Sequence, residues 1–162
     1  MARLVLTDAS PLIGLARVDG LCWLAPLFGV VWMPLELRHE VLTGCGAPDE
    51  KAIAVAVEMG WLRVCGPTPT VPELPELDEG ESACIRIALA HESDSLLLMD
   101  ERAGRAIAME HGLRVAGTAA VIGMARLKGL IPSARVAFAR LHSSDFRISA
   151  QVIEAVLSRV GE

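Results

Sequence analysis

The sequence predicts an α/β fold: a three-layer α/β/α sandwich with a central parallel sheet. Three observations carry this. Short, wholly apolar runs alternate with amphipathic stretches along the 162 residues, the pattern of βαβ units whose strands are buried on both faces. Apolar residues make up 52% of the chain and charged residues 22%, which supports a sizeable core and excludes a disordered chain. The length suits a single domain, typically ~100–200 residues, over 1–162, and no repeat or low-complexity tract divides it.

The elements follow in order. Arg3–Thr7 reads as a buried strand, after which Ser10 (N-cap) and Pro11 (first helical position) open a helix. A short helix over Leu21–Phe28 leads to a strand near Val30–Trp32, and Pro34 restarts a helix through Val41. Gly44–Pro48 is a loop, Asp49–Gly60 has helical composition, and Trp61–Cys65 is strand-like. Pro67, Pro69, Pro72 and Pro75 make an ordered or semi-rigid connector that could separate two halves, but neither half alone would form a comfortable domain, so one domain is expected. Asp78–His91 is a helix with Asp78 at the cap and Glu81 three residues on. Leu96–Met99 is a strand, Glu101–His111 a helix and Leu113–Val115 a strand. Helices over Ala119–Lys128, Ser133–His142 and Ser149–Val160 complete the chain.

Fifteen Lys and Arg against 20 Asp and Glu give a net charge of −5, which excludes a uniformly basic nucleic-acid coat. The charge is uneven. Glu73, Glu76, Asp78, Glu79 and Glu81 cluster without a base, while from Arg102 to Arg159 nine bases face three acids. An acidic centre beside a basic last third suits a polyanion held near a bound cation, and also suits solvated helix faces. Cys22, Cys45, Cys65 and Cys84 form no CxxC and have no zinc-like His spacing, so they read as reduced cytosolic thiols, Cys84 within the core. Only four residues separate Arg3 from Asp8, too few for a signal peptide. The longest uncharged stretch, Gly20–Leu35, has 16 residues and two prolines, short of the ~20 a membrane span needs. A soluble, cytoplasmic protein is expected.

Ligands of open parallel sheets collect at the carboxyl ends of the strands. Asp8 follows the first strand and Asp100 follows Leu96–Met99, so both project at one edge. Glu81 enters from the same edge, in the first turn of the helix that leads into the second of these strands. Glu40 lies near the end of the Pro34–Val41 helix, at a place that spacing does not define. Each acid has a structural alternative: a cap for Asp8 or Asp100, a capping box for Glu81, a solvated face for Glu40. Two carboxylates at adjacent strand ends nevertheless repel unless a cation or proton offsets them. Carboxylate oxygens suit Mg²⁺ or Mn²⁺, and metal-activated water suits phosphodiester hydrolysis.

Other site classes are poorly represented. His39, His91, His111 and His142 form no HExxH, and GxGxxG, GxxxxGK[ST] and GxSxG are all missing. Asp8-Ala-Ser10 lacks the second acid that an aspartyl-nucleophile phosphatase needs two residues on.

The segments LVLTDASPLIGLARV, LDEGESACIRIALA, LLLMDERAGRAIA, GLRVAGTAAVIGMARLKGLI and FRISAQVIEAVLSRVGE together resemble the PIN-like proteins of the DUF3368 family, over nearly the whole chain. The resemblance implies a carboxylate cluster binding Mg²⁺ or Mn²⁺ and a kinship with the VapC-type ribonuclease toxins. By position, Asp8, Glu40, Glu81 and Asp100 match the family's catalytic acids, with Asp8, Glu81 and Asp100 as the metal ligands. Glu81 stands where the toxins usually carry Asp, and Thr118 where a further acid is expected. A small antitoxin whose segment lies across the acidic edge is likewise implied.

For an RNA substrate, Ser10 and Thr118 stand beside the acidic edge, and Arg102 and Arg105 lie at i and i+3 on one helix face. The two arginines could hold a phosphate or an antitoxin carboxylate, or pair with Glu101 or Glu110. Arg126 and Lys128 suit the end of a helix dipole. Trp23, Trp32 and Trp61 sit in apolar runs and read as core or interface; with aromatics at 4% and no Tyr, extended base stacking is not expected. The Gly20–Leu35 segment, with Trp23 and Phe28, is a candidate homodimer surface. The functions in view are a metal-dependent endoribonuclease, a PIN-like interaction module without turnover, and a small-substrate phosphate hydrolase.

Overall fold

A computed structural model describes residues 3–91 and 94–162. Five strands, β1 (Leu4–Thr7), β2 (Val31–Pro34), β3 (Leu62–Cys65), β4 (Ser95–Leu98) and β5 (Arg114–Ala116), form one parallel sheet in the order β3-β2-β1-β4-β5. Nine α-helices among the described residues cover it: α1 (Ala9–Arg17), α2 (Leu24–Phe28), α3 (Leu35–Val41), α4 (Pro48–Glu58), α5 (Glu79–Ala90), α6 (Arg102–Glu110), α7 (Thr118–Leu127), α8 (Ala134–Ser143) and α9 (Ala150–Val160). This is the α/β/α arrangement that the alternation of short apolar runs and amphipathic stretches predicts. The central strands are apolar because helices lie on both sides: Val5, Leu6, Leu97 and Leu98 are fully buried. Helix α5 packs on β1, β2 and β4 with α3 and α6 beside it, while α1 packs with α4, α7 and α8.

Several boundaries differ from the sequence expectation. Ser10 does not cap the first helix; α1 starts at Ala9 with Asp8 in the N-cap position, and Ser10 lies within the first turn. The expected strand near Val30–Trp32 runs on to Pro34, and the one at Leu113–Val115 shifts to Ala116. Trp23 is 8% exposed and lies under Gly20, where an added Cβ would come within 2.5 Å of its ring. It is therefore a core residue, its apolar area already covered within the chain. Trp32, Trp61 and Phe28 are half-buried against the core.

Cys84 is fully buried as expected, its thiol 3.4 Å from the Thr7 carbonyl oxygen. The proline-rich connector is tied down by Thr68 Oγ1 donating to Glu36 (2.8 Å) and Arg86 Nε donating to the Pro72 carbonyl (2.7 Å). No single helix among the described residues is long and apolar enough to cross a membrane.

Candidate active site

Strand order reverses at β1 and β4, and in such sheets the crevice outside the carboxyl ends at the reversal is where ligands bind. Asp8 leaves β1 there, its N–H donating to the Leu98 carbonyl at 2.9 Å. Although Asp8 holds the N-cap position of α1, its side chain takes no capping hydrogen bond. The third helical residue is Pro11, which has no N–H to give. A carboxylate 5% exposed and unused as a cap is thus left at the crevice.

Glu81 arrives from the other direction. Asp78 caps α5, its Oδ1 accepting from the Glu81 N–H at 2.8 Å, which is the backbone half of a capping box. The Glu81 side chain, 6% exposed, turns into the protein: a Cβ on Gly104 of α6 would stand 3.0 Å from its Oε2.

Asp100 follows β4 but does not cap α6, whose N-cap is Glu101. It reaches across to α7 and accepts from the Thr118 N–H and the Thr118 hydroxyl, both at 2.7 Å. The carboxylate so supplies the cap that α7 lacks, since Gly117 at its N-cap has no side chain. Thr118 is fully buried, so its hydroxyl is engaged with Asp100 and does not face a substrate.

Glycine recurs beside these acids. A Cβ on Gly80 would lie 3.1 Å from Asp8 Oδ1, and one on Gly117 would lie 2.9 Å from Asp100 Oδ1; Gly104 stands in the same relation to Glu81. Three helix-start regions thus approach three carboxylates so closely that a larger residue would make the acid or its neighbours shift. The glycines are visible in the sequence within DEGES, ERAGR and AGT, but only the fold shows what they face.

Glu40 lies exposed toward the end of α3, close enough that its charge raises the pKa of Asp8. Asp78, read in the sequence as a cap and as one of the acids between Glu73 and Glu81, acts by its charge on Asp8, Glu40 and Glu81 together. Burial, followed by the charges of Asp78, Glu40 and Asp100, pushes Asp8 up to about 6 despite a lowering hydrogen bond from the Ala9 N–H. Glu81 is pushed up to about 7, first by burial and then by Asp78, Asp8 and Glu101. Glu40 is raised by partial burial and by Asp78. Among the described residues, no Lys or Arg forms an ion pair with any of these acids.

Of the basic candidates, Arg102 is exposed and Arg105 half-buried, with Arg105 Nη1 donating to the Met99 carbonyl at 2.9 Å. Neither pairs with Glu101 or Glu110 among the described residues. Much of the basic last third is engaged elsewhere: Arg114 with Asp94, Arg126 with Glu162 and Arg140 with Asp19. Ser10, Asp100 and Arg105 share a cleft of about 490 Å³ whose far wall is the 145–149 loop and α9.

The donor set is all carboxylate oxygen, with no cationic side chain paired to it among the described residues, and burial raises the pKa values of Asp8 and Glu81 within it. That chemistry fits a hard divalent cation. Among the described residues no three His, Cys, Asp or Glu side chains stand together as a ready cage. Mg²⁺ does not require one, since it is commonly held by one or two carboxylates with water and substrate phosphate filling the remaining positions.

Fold and site together define an α/β/α protein with an acid-lined crevice at the switch point of its parallel sheet. The chain belongs to the DUF3368 family, a PIN domain, whose model matches residues 4–162. No curated protein and no solved structure matches it. Membership suggests a nuclease-type function, and PIN domains generally use divalent metals.

Proposed function

We propose that this chain is a Mg²⁺- or Mn²⁺-dependent endoribonuclease, the toxin of a toxin–antitoxin pair. One observation carries the reading: Asp8 and Glu81 are 5% and 6% exposed, sit at the switch-point crevice, and lack any cationic side-chain partner among the described residues. Stable folds rarely retain two such carboxylates without a counter-ion or a function for them. Asp8, Glu81 and Asp100 would hold the metal, directly or through water, with Glu40 and Asp78 extending the acidic field. Bound there, the ion supplies Lewis-acid charge and lowers the pKa of water for attack on a phosphodiester. Thr118 holds Asp100 in one orientation, and Arg105 stands beside Asp100 with donors free to take a phosphate oxygen. A small antitoxin protein laid across the acidic edge would block the crevice.

Calorimetric titration of Mn²⁺ into metal-stripped protein, with Asp8→Asn as control, tests the site. RNA cleavage by wild type, Asp8→Asn and Asp100→Asn tests the activity. Binding and cleavage are expected in the wild type, and both should be lost in Asp8→Asn. Cleavage retained in both variants overturns the assignment. A second reading, an interaction module without turnover, is favoured by the lack of three convergent ligands among the described residues. Metal binding without cleavage of any RNA would select it.

A further inference from the structure

The cleft beyond Asp100 was not legible in the sequence; of the three acids that would hold the metal, Asp100 lines it and Asp8 and Glu81 do not. One wall is the sheet edge with Ser10, Asp100, Arg105 and Gly117; the other is the 145–149 loop and α9. Resting on the nuclease reading above, we propose that this cleft is a nucleotide subsite, holding the base next to the scissile phosphate in an unpaired RNA strand.

Its walls divide by chemistry. Phe146, Ile148, Val152 and Val156 form an apolar side. Phe146 is half-buried and braced on α1, since a Cβ on Gly14 would fall 2.9 Å from two of its ring carbons. A ring held in this way offers a base a preformed apolar contact at small entropic cost. Val152 is 45% exposed, an apolar side chain at the cleft with nothing to cover it. Two arginines border this apolar side. Arg105 spends one donor on the Met99 carbonyl and pairs with no acid among the described residues, leaving most of its five donors available. Arg147 donates Nη1 to the His142 carbonyl at 2.6 Å and meets Asp145 at 3.7 Å with both side chains mostly exposed, so that its other donors stay open to a ligand.

The occupant follows from this pairing. An apolar peptide would leave the remaining donors of both arginines unanswered, and a free phosphate would leave the apolar wall uncovered. A nucleotide satisfies both, and the shared residue Asp100 makes the cleft continuous with the acidic crevice. About 490 Å³ lies within the ordinary range for small-molecule sites, ~300–1,000 Å³. A base can enter only if it is unstacked and splayed from its strand, so duplex RNA is excluded.

The test is binding of a fluorescein-labelled five-nucleotide single-stranded RNA in EDTA, where cleavage cannot occur. Arg147→Ala and Val152→Glu both alter exposed positions, and thermal unfolding checks that each is folded. Each variant is expected to weaken binding at least about fivefold. Arg147→Ala should also reduce the slope of log affinity against log salt by about one. The same sequence as a duplex should bind more weakly than the single strand. Wild-type protein that fails to bind the oligonucleotide, or folded variants that bind it as wild type does, would overturn the subsite. Cleavage in Mn²⁺ is measured on the same samples. Binding that depends on Arg147 and Val152, without cleavage, would leave the subsite standing and remove the nuclease reading. Cleavage with variants that bind normally would do the reverse.

Discussion

Both carboxylate oxygens of Asp100 are held by Thr118, Oδ1 by its backbone N–H and Oδ2 by its hydroxyl, each at 2.7 Å. The contact joins the end of β4 to the start of α7. It fixes an acid at the crevice and supplies α7 with its missing cap. Thr118→Val keeps the shape and the N–H but removes the hydroxyl. It should lower Mn²⁺ affinity about threefold to tenfold, the worth of one typical hydrogen bond, with Thr118→Ser restoring it. Calorimetry on both variants would decide it, and unchanged affinity in Thr118→Val would mean that the N–H alone orients Asp100.

The glycine contacts make a second expectation. In Gly104→Ala the methyl would meet Met99 Sδ at 2.7 Å and Glu81 Oε2 at 3.0 Å, so the buried acid must move. Overpacking of this kind costs about 1–3 kcal/mol, read as a lower Tm, and metal affinity should fall with it. A Gly104→Ala protein with wild-type Tm and Mn²⁺ affinity would show that the Glu81 pocket is loose.

Protonation sets the pH dependence. Asp8 and Glu81 ionise at about 6 and about 7 in the folded chain, above the 3.8 and 4.5 of free groups. Between pH ~4 and ~7 the folded state therefore binds more protons than the unfolded state, and metal-free stability falls as pH rises through that window. The loss is on the order of 3 kcal/mol per carboxylate. Unfolding scans from pH 4.5 to 7.5 should show Tm dropping in EDTA and flattening in Asp8→Asn. With Mn²⁺ the sign reverses, because binding displaces protons and tightens as pH rises.

Trp23 belongs to the core, so Trp23→Ala should cost about 3–5 kcal/mol of stability, measured by denaturant unfolding. A variant with intact stability but altered sedimentation would return Trp23 to an interface.

Glu162 accepts from the Ser133 hydroxyl at 2.6 Å and the Ala134 N–H at 2.7 Å, closing α9 onto the start of α8. These bonds hold its pKa below the usual carboxylate value. Glu162→Gln should lower Tm, and the difference from wild type should vanish as pH falls below that pKa. An equal deficit at all pH values would mean that shape, not charge, matters there.

What the sequence by itself determined is everything governed by local pattern. Apolar runs of four or five residues became buried parallel strands, Asp8 and Asp100 emerged at their carboxyl ends, and Ser133 and Ser149 capped their helices. The shared edge of Asp8, Glu81 and Asp100 followed from the order of strands and helices, whereas Glu40 was assigned only through the family resemblance. Tertiary structure alone decided how those acids are used. Asp78 looks like a cap in isolation and becomes part of the charge cluster only when α5 is laid against β1 and α3. Asp100 caps a helix 18 residues away and not the one that follows it. Thr118 looks like an open position and is a buried support. The cleft needs α1, the sheet edge and α9 together, three segments far apart in the chain. Local periodicity constrains what each segment becomes, whereas burial, charge coupling and cavities depend on which segments share space.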